Sequence, residues 1–118
     1  MKIGIVGLGL IGASMAKALS GAGHTVLGDD IDADVLKRAV LTEAISARLD
    51  DINAKTLDML LISVYPADTV KYLSVYAPLL KDGAVLADLC GIKREIVAEM
   101  KRLKNQYPAI EFIGLHPM

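Results

Sequence analysis

The run Gly7-Leu8-Gly9-Leu10-Ile11-Gly12 spaces three glycines as a dinucleotide pyrophosphate requires when it lies against a strand-to-helix turn. Gly7 permits the tight turn, Gly9 lets backbone approach the phosphates, and Gly12 lets a helix pack close to a strand. With Leu8, Leu10 and Ile11 between them, these residues form a candidate cofactor cradle, closed by the positive end of the helix that follows. The bare pattern is common. Its setting here is more informative: the apolar segment Ile3-Gly4-Ile5-Val6 precedes it, a helical pattern follows, and an acidic pair lies downstream.

That acidic pair closes Gly28-Asp29-Asp30. A carboxylate about 20 residues beyond the glycines, at the tip of a second strand, accepts hydrogen bonds from the adenosine ribose hydroxyls. Asp30 fits that role better than Asp29. A carboxylate there repels a 2′-phosphate, so NAD is expected rather than NADP, with Arg38 on the next helix the closest candidate arginine. The plainer alternative is a solvated turn, or a cap for the helix after Asp32.

Three further groups fall at strand ends, where ligands of doubly wound sheets bind. Ser63, Val64 and Tyr65 precede Pro66 and are expected to line the cofactor cleft, although an ordinary strand-to-helix turn accounts for them equally. Asp88-Leu89-Cys90-Gly91-Ile92-Lys93 gathers a carboxylate, a thiol, a glycine and a lysine at the same mouth. Asp88 and Gly91 are candidates for the cofactor and Gly91 and Lys93 for a substrate, whereas Cys90 reads as a small apolar filler and Lys93 alternatively as a surface ion pair. His116, beyond the last strand, would face the cleft with an unperturbed imidazole pKa of about 6.5, suited to proton transfer. His24 reads as structural.

The elements that must position these groups alternate regularly. Strands are expected at 2–6, 25–29, 59–64, 84–89 and 111–115, and helices at 10–21, 33–41, 66–80 and 93–106, with a very short strand near Ile45 and a helical turn within 42–55. The first helix is expected to bury Ile11, Met15, Ala18 and Leu19. Asp32 N-caps the second helix, and Pro66 starts the third. The expected fold is therefore α/β: a Rossmann-type doubly wound, mostly parallel sheet with helices on both faces. The 118 residues make one domain, and 53% hydrophobic content with only 4% aromatic suits a sheet of small aliphatics buried on both faces. A net charge of −1 argues against nucleic acid or an anionic membrane as partner. The single cysteine fits a reducing cytoplasm, and no metal site is expected.

Taken together, the chain resembles the nucleotide-binding half of the prephenate dehydrogenases and their arogenate-specific relatives. The resemblance rests on Gly7 to Ser14, on Asp58-Met59-Leu60-Leu61-Ile62-Ser63-Val64, on Asp88 to Lys93, and above all on the ending Phe112-Ile113-Gly114-Leu115-His116-Pro117-Met118. It implies that His116 is the catalytic histidine, hydrogen-bonded to the ring hydroxyl of prephenate. Hydride leaves that carbon for the nicotinamide of NAD, and loss of the ring carboxylate as CO2 makes the product aromatic, a step of tyrosine biosynthesis. It also implies a following all-helical domain that completes the substrate pocket and makes a homodimer, so the chain is expected to be the first part of a longer gene product. Two positions depart from the family: Gly91 stands where many members have Ser, and Tyr65 where many have Pro. Two other readings share the glycine loop. One is a dehydrogenase of the β-hydroxyacid or pyrroline-carboxylate reductase type, and the other is a non-catalytic NAD-binding regulatory domain.

Overall fold

The computed structural model describes residues 1–89 and 94–115. Its elements run β1 (Lys2–Val6), α1 (Leu10–Gly21), β2 (Thr25–Asp29), α2 (Ala33–Leu41), β3 (Ala47–Arg48), β4 (Met59–Ile62), α3 (Pro66–Tyr76), β5 (Val85–Asp88), α4 (Arg94–Gln106) and β6 (Glu111–Gly114). Short 3-10 turns cover Asn53–Thr56 and Ala77–Leu79. The six strands form one sheet in the order β3-β2-β1-β4-β5-β6, every neighbouring pair parallel. The strand order reverses between β1 and β4, and a sheet of this kind opens its binding crevice beyond the carboxyl ends of those two strands.

The two faces of the sheet are packed differently. On one, β4 and β5 send Leu60, Ile62 and Leu86 against α3 and α4, which answer with Leu73, Tyr76, Ile96 and Leu103. On the other the helices contribute small groups: Ala16 of α1, Ala39 of α2 and Ala44 after it pack with Ile3, Ile5 and Val26 of the sheet. Small side chains let α1 lie close. A Cβ on Gly12 would fall 1.8 Å from the Gly7 carbonyl oxygen, so only glycine lets the first turn of α1 rest on the loop.

Most expected elements form within a residue or two of their limits. The buried stripe of α1 does not match: Ile11 is 47% exposed, and Ala18 is exposed as well, whereas Gly12 and Ala16 are buried with Met15 and Leu19 partly covered. The stripe is set by where the helix must touch the loop, and the smallest residues face it. The edge strand lies at Ala47–Arg48, just past Ile45, which is instead a core residue. β4 ends at Ile62, two residues early: β1 itself ends at Val6, and the Ser63 N–H to the Val6 carbonyl is the last ladder bond between them. Among the described residues, no helix is long and apolar enough to cross a membrane.

Candidate functional site

Gly7 leaves β1 with φ +93°, a left-handed conformation that favours glycine. Its N–H donates to the Asp29 carbonyl at 2.8 Å, and a Cβ here would strike the Ser63 carbonyl oxygen at 2.1 Å. The turn is thus pinned between the ends of β2 and β4. Leu8 buries its side chain in the core and turns its N–H to Asp30 Oδ2 at 2.7 Å. Gly9 then N-caps α1 in an extended conformation, with no side chain bonding the helix's free N–H groups and no acid in the first turn. Among the described residues, a Cβ on Gly9 would meet no atom within 4 Å. The first turn of an α-helix carries N–H groups without intrahelical partners and a partial positive charge. Here no side chain among the described residues caps them, and exposed Leu10 and Ile11 flank them.

α2 begins differently. Asp32 Oδ1 accepts from the N–H groups of Asp34 and Val35 at 2.9 and 3.3 Å, and Asp34 adds an acid to the first turn. That N-terminus is satisfied by its own chain, as expected for Asp32.

Between the loop and α3 lies a cavity of about 250 Å³, lined by Gly7, Asp29, Asp30, Val64, Lys71 and Tyr72 among others. Asp30 is fixed by two backbone donors, Leu8 N–H and Asp32 N–H, the latter to Oδ1 at 2.8 Å. Asp29 Oδ1 accepts from Asp30 N–H at 2.9 Å and from Arg48 Nε at 3.2 Å. Arg48, not Arg38, is therefore the arginine beside the acidic pair, because the parallel register sets Gly28 opposite Arg48. A two-residue edge strand gave little sequence signal, so its arginine was not foreseen there.

Sequence reasoning also passed over Ile31, Asp68, Lys71 and Tyr72, which share the cavity. Ile31 was discoverable: it is a lone aliphatic among aspartates, and it is 92% exposed. The other three lie on α3, whose period identifies buried positions and not those at a rim. Tyr72 holds its phenol proton above the usual range, first because burial disfavours the anion and then because Asp29 lies near. It is a neutral donor or acceptor at the cavity wall.

Of the remaining candidates, Val64 lines the cavity, Ser63 packs its backbone on Gly7, and Tyr65, 82% exposed, N-caps α3. Asp88 is fully buried at the end of β5, opposite Ile62, and its carbonyl accepts Leu115 N–H at 2.8 Å. Cys90, Gly91, Lys93 and His116 lie outside the described residues.

A parallel sheet in this order, a glycine turn at its reversal and an open helix N-terminus beside a tethered acid define a nucleotide-binding α/β domain. Residues 15–118 match the family model described as prephenate dehydrogenase, nucleotide-binding domain, and the chain belongs to that family. The match begins after the glycine loop.

Among solved structures, the chain is similar to Synechocystis arogenate dehydrogenase, with 30% identity, a TM-score of 0.86 and coverage of 99% of this chain and 41% of that one. It shares the fold of A. aeolicus prephenate dehydrogenase in complex with hydroxyphenyl propionate and NAD+, with 22% identity, a TM-score of 0.83, and 100% and 42% coverage. It also shares the fold of Mycobacterium tuberculosis 3-hydroxyisobutyrate dehydrogenase, with 18% identity, a TM-score of 0.80, and 98% and 40% coverage. The chain spans about two fifths of the length of these relatives. Comparison with curated proteins gives no match.

Proposed function

We propose that this domain binds NAD and serves an oxidoreductase that oxidatively decarboxylates prephenate, or its amino analogue arogenate, in tyrosine biosynthesis. The observation that carries the reading is the open N-terminus of α1 above a glycine turn tied to Asp30, in a chain of the prephenate dehydrogenase family. In this reading the N–H groups of Gly9, Leu10, Ile11 and Gly12 take the pyrophosphate, and Asp30 takes the ribose hydroxyls with the acceptor capacity its two backbone bonds leave. Val64 and Tyr72 wall the adenosine side, and Ser63, Tyr65, Asp88 and Gly91 stand toward the nicotinamide. Bound NAD supplies the hydride acceptor. His116, neutral, accepts the proton of the substrate's ring hydroxyl, while Gly91 and Lys93 bound the substrate side. We assign residues 1–118 to one nucleotide-binding domain, completed in the working homodimer by a helical domain that follows in the chain.

The reading is tested with the gene product that carries the residues following Met118. Prephenate or arogenate should drive NADH formation, with kcat/KM falling as pH drops through the histidine's pKa. His116→Asn should lose roughly 10²–10⁴-fold in rate with NAD affinity little changed. NAD binding with no turnover of either substrate would favour a regulatory domain instead.

A further inference from the structure

We propose that Arg48 is a cofactor-discriminating residue, a cation that Asp29 holds away from the 2′ position of the adenosine ribose. This rests on the dinucleotide reading of the cavity and deepens it. The simplest sequence argument gives the NAD choice to one carboxylate. The structure puts two carboxylates on the cavity wall and a guanidinium on one of them.

The two acids are held in different ways. Each oxygen of Asp30 takes a backbone N–H, from Leu8 and from Asp32, so its position is set by the main chain. Asp29 is held by one backbone N–H, that of Asp30, and by Arg48, both on Oδ1. The Arg48 side chain is 67% exposed and that of Asp29 25%. An ion pair so open to water is worth little, and Arg48 binds through Nε, with the terminal guanidinium nitrogens still available for a second partner.

A phosphate is a better partner for a guanidinium than one exposed carboxylate, because it carries more charge and accepts a bidentate bond. In the wild type a 2′-phosphate would meet Arg48 only together with Asp29 and Asp30, at a cavity that Asp68 and Lys71 also line, three negative charges against two positive. Neutralising Asp29 leaves two against two and releases the guanidinium. The preference for NAD thus depends on Asp29 as well as Asp30, and Arg48 is the group that a phosphorylated ribose would recruit. Lys71, which also lines the cavity, is the rival cation.

The test is calorimetric titration of this chain with NAD+ and with NADP+ at low salt, for the wild type, Asp29→Asn, Arg48→Gln and the double variant. Asn keeps an acceptor for the Asp30 N–H, and Asp29→Ser supplies a second neutral form should the amide disturb the turn. The expected result is that Asp29→Asn tightens NADP+ binding relative to NAD+ by about tenfold or more. Adding Arg48→Gln should abolish that gain. An unchanged NADP+/NAD+ ratio in both neutral variants overturns the proposal. A gain that survives Arg48→Gln overturns it in favour of Lys71. A wild type that binds NAD+ in either case keeps the dinucleotide reading standing, whereas a folded wild type that binds neither dinucleotide refutes that reading and this inference together.

Discussion

The helices α1 and α2 begin at the same edge of the sheet with opposite chemistry. α2 satisfies its free N–H groups with Asp32 and adds Asp34 to its first turn. Among the described residues no side chain caps α1, its first turn holds no acid, and a Cβ on its N-cap glycine would meet no atom within 4 Å. Capping with Ser, Thr, Asp or Asn is the ordinary solution, so a helix start that forgoes it in this position leaves its N–H groups for an anion. Gly12 and Gly9 divide the labour. Gly12 is required by the protein itself, since the Gly7 carbonyl fills the space a Cβ would need. Gly9 is required by nothing among the described residues.

The largest expected effect falls on Gly12. Intrinsic propensity favours Ala over Gly in a helix by about 1 kcal/mol, yet Gly12→Ala should destabilise by about 3 kcal/mol or more, because α1 must lift from the loop. Urea denaturation measures this, and a stabilised variant would break the claim that α1 is seated on Gly7. Next is Asp30→Ala, which removes the tether on Leu8 and the proposed ribose acceptor. NAD affinity should weaken by roughly 1–3 kcal/mol in a titration, more than stability falls.

Asp32→Ala sharpens the contrast from the other helix: a stability loss of about 1 kcal/mol, with NAD affinity unchanged. Equal losses of affinity at Asp30 and Asp32 would mean the two helix starts are not functionally distinct.

The smallest effect concerns Asp58, a carboxylate at the opposite end of the sheet. Lys2 N–H donates to it at 2.8 Å, with Lys81 Nζ at 2.8 Å on its other oxygen. That backbone bond, then Lys81, lowers its pKa below the ordinary 3.8. Between the lowered folded value and 3.8 the unfolded chain binds more protons. The stabilisation is therefore complete above 3.8 and disappears as pH falls through the folded value. Asp58→Asn should flatten that acid limb of the stability profile and leave NAD binding alone.

The same contrast explains how much was legible in advance. Strand and helix limits followed from hydrophobic period and from Asp32 and Pro66 as start signals, and the doubly wound parallel sheet followed from the alternation, whereas the strand order came from the structure. The loop was legible because its geometry is a backbone requirement, and only glycine meets it at φ +93°. The face of α1 was misread because hydrophobic size, the usual guide, points to Ile11, whereas close approach selects Gly12 and Ala16. Arg48 and Tyr72 were not legible because they reach the site through pairing register and through the rim of α3, neither of which leaves a local pattern.

The most direct measurement is a calorimetric titration of NAD+ into Gly9→Val beside the wild type, with a thermal melt of each. Gly9 has the extended backbone φ −68°, ψ −158°, and a Cβ added there meets no atom of the described residues within 4 Å. Wild-type chain should bind NAD+. The variant should lose binding by 100-fold or more, on the order of 3 kcal/mol, while its stability stays within about 1 kcal/mol of wild type. A stable Gly9→Val chain that binds NAD+ as the wild type does would contradict the assignment of the α1 N-terminus as the pyrophosphate site.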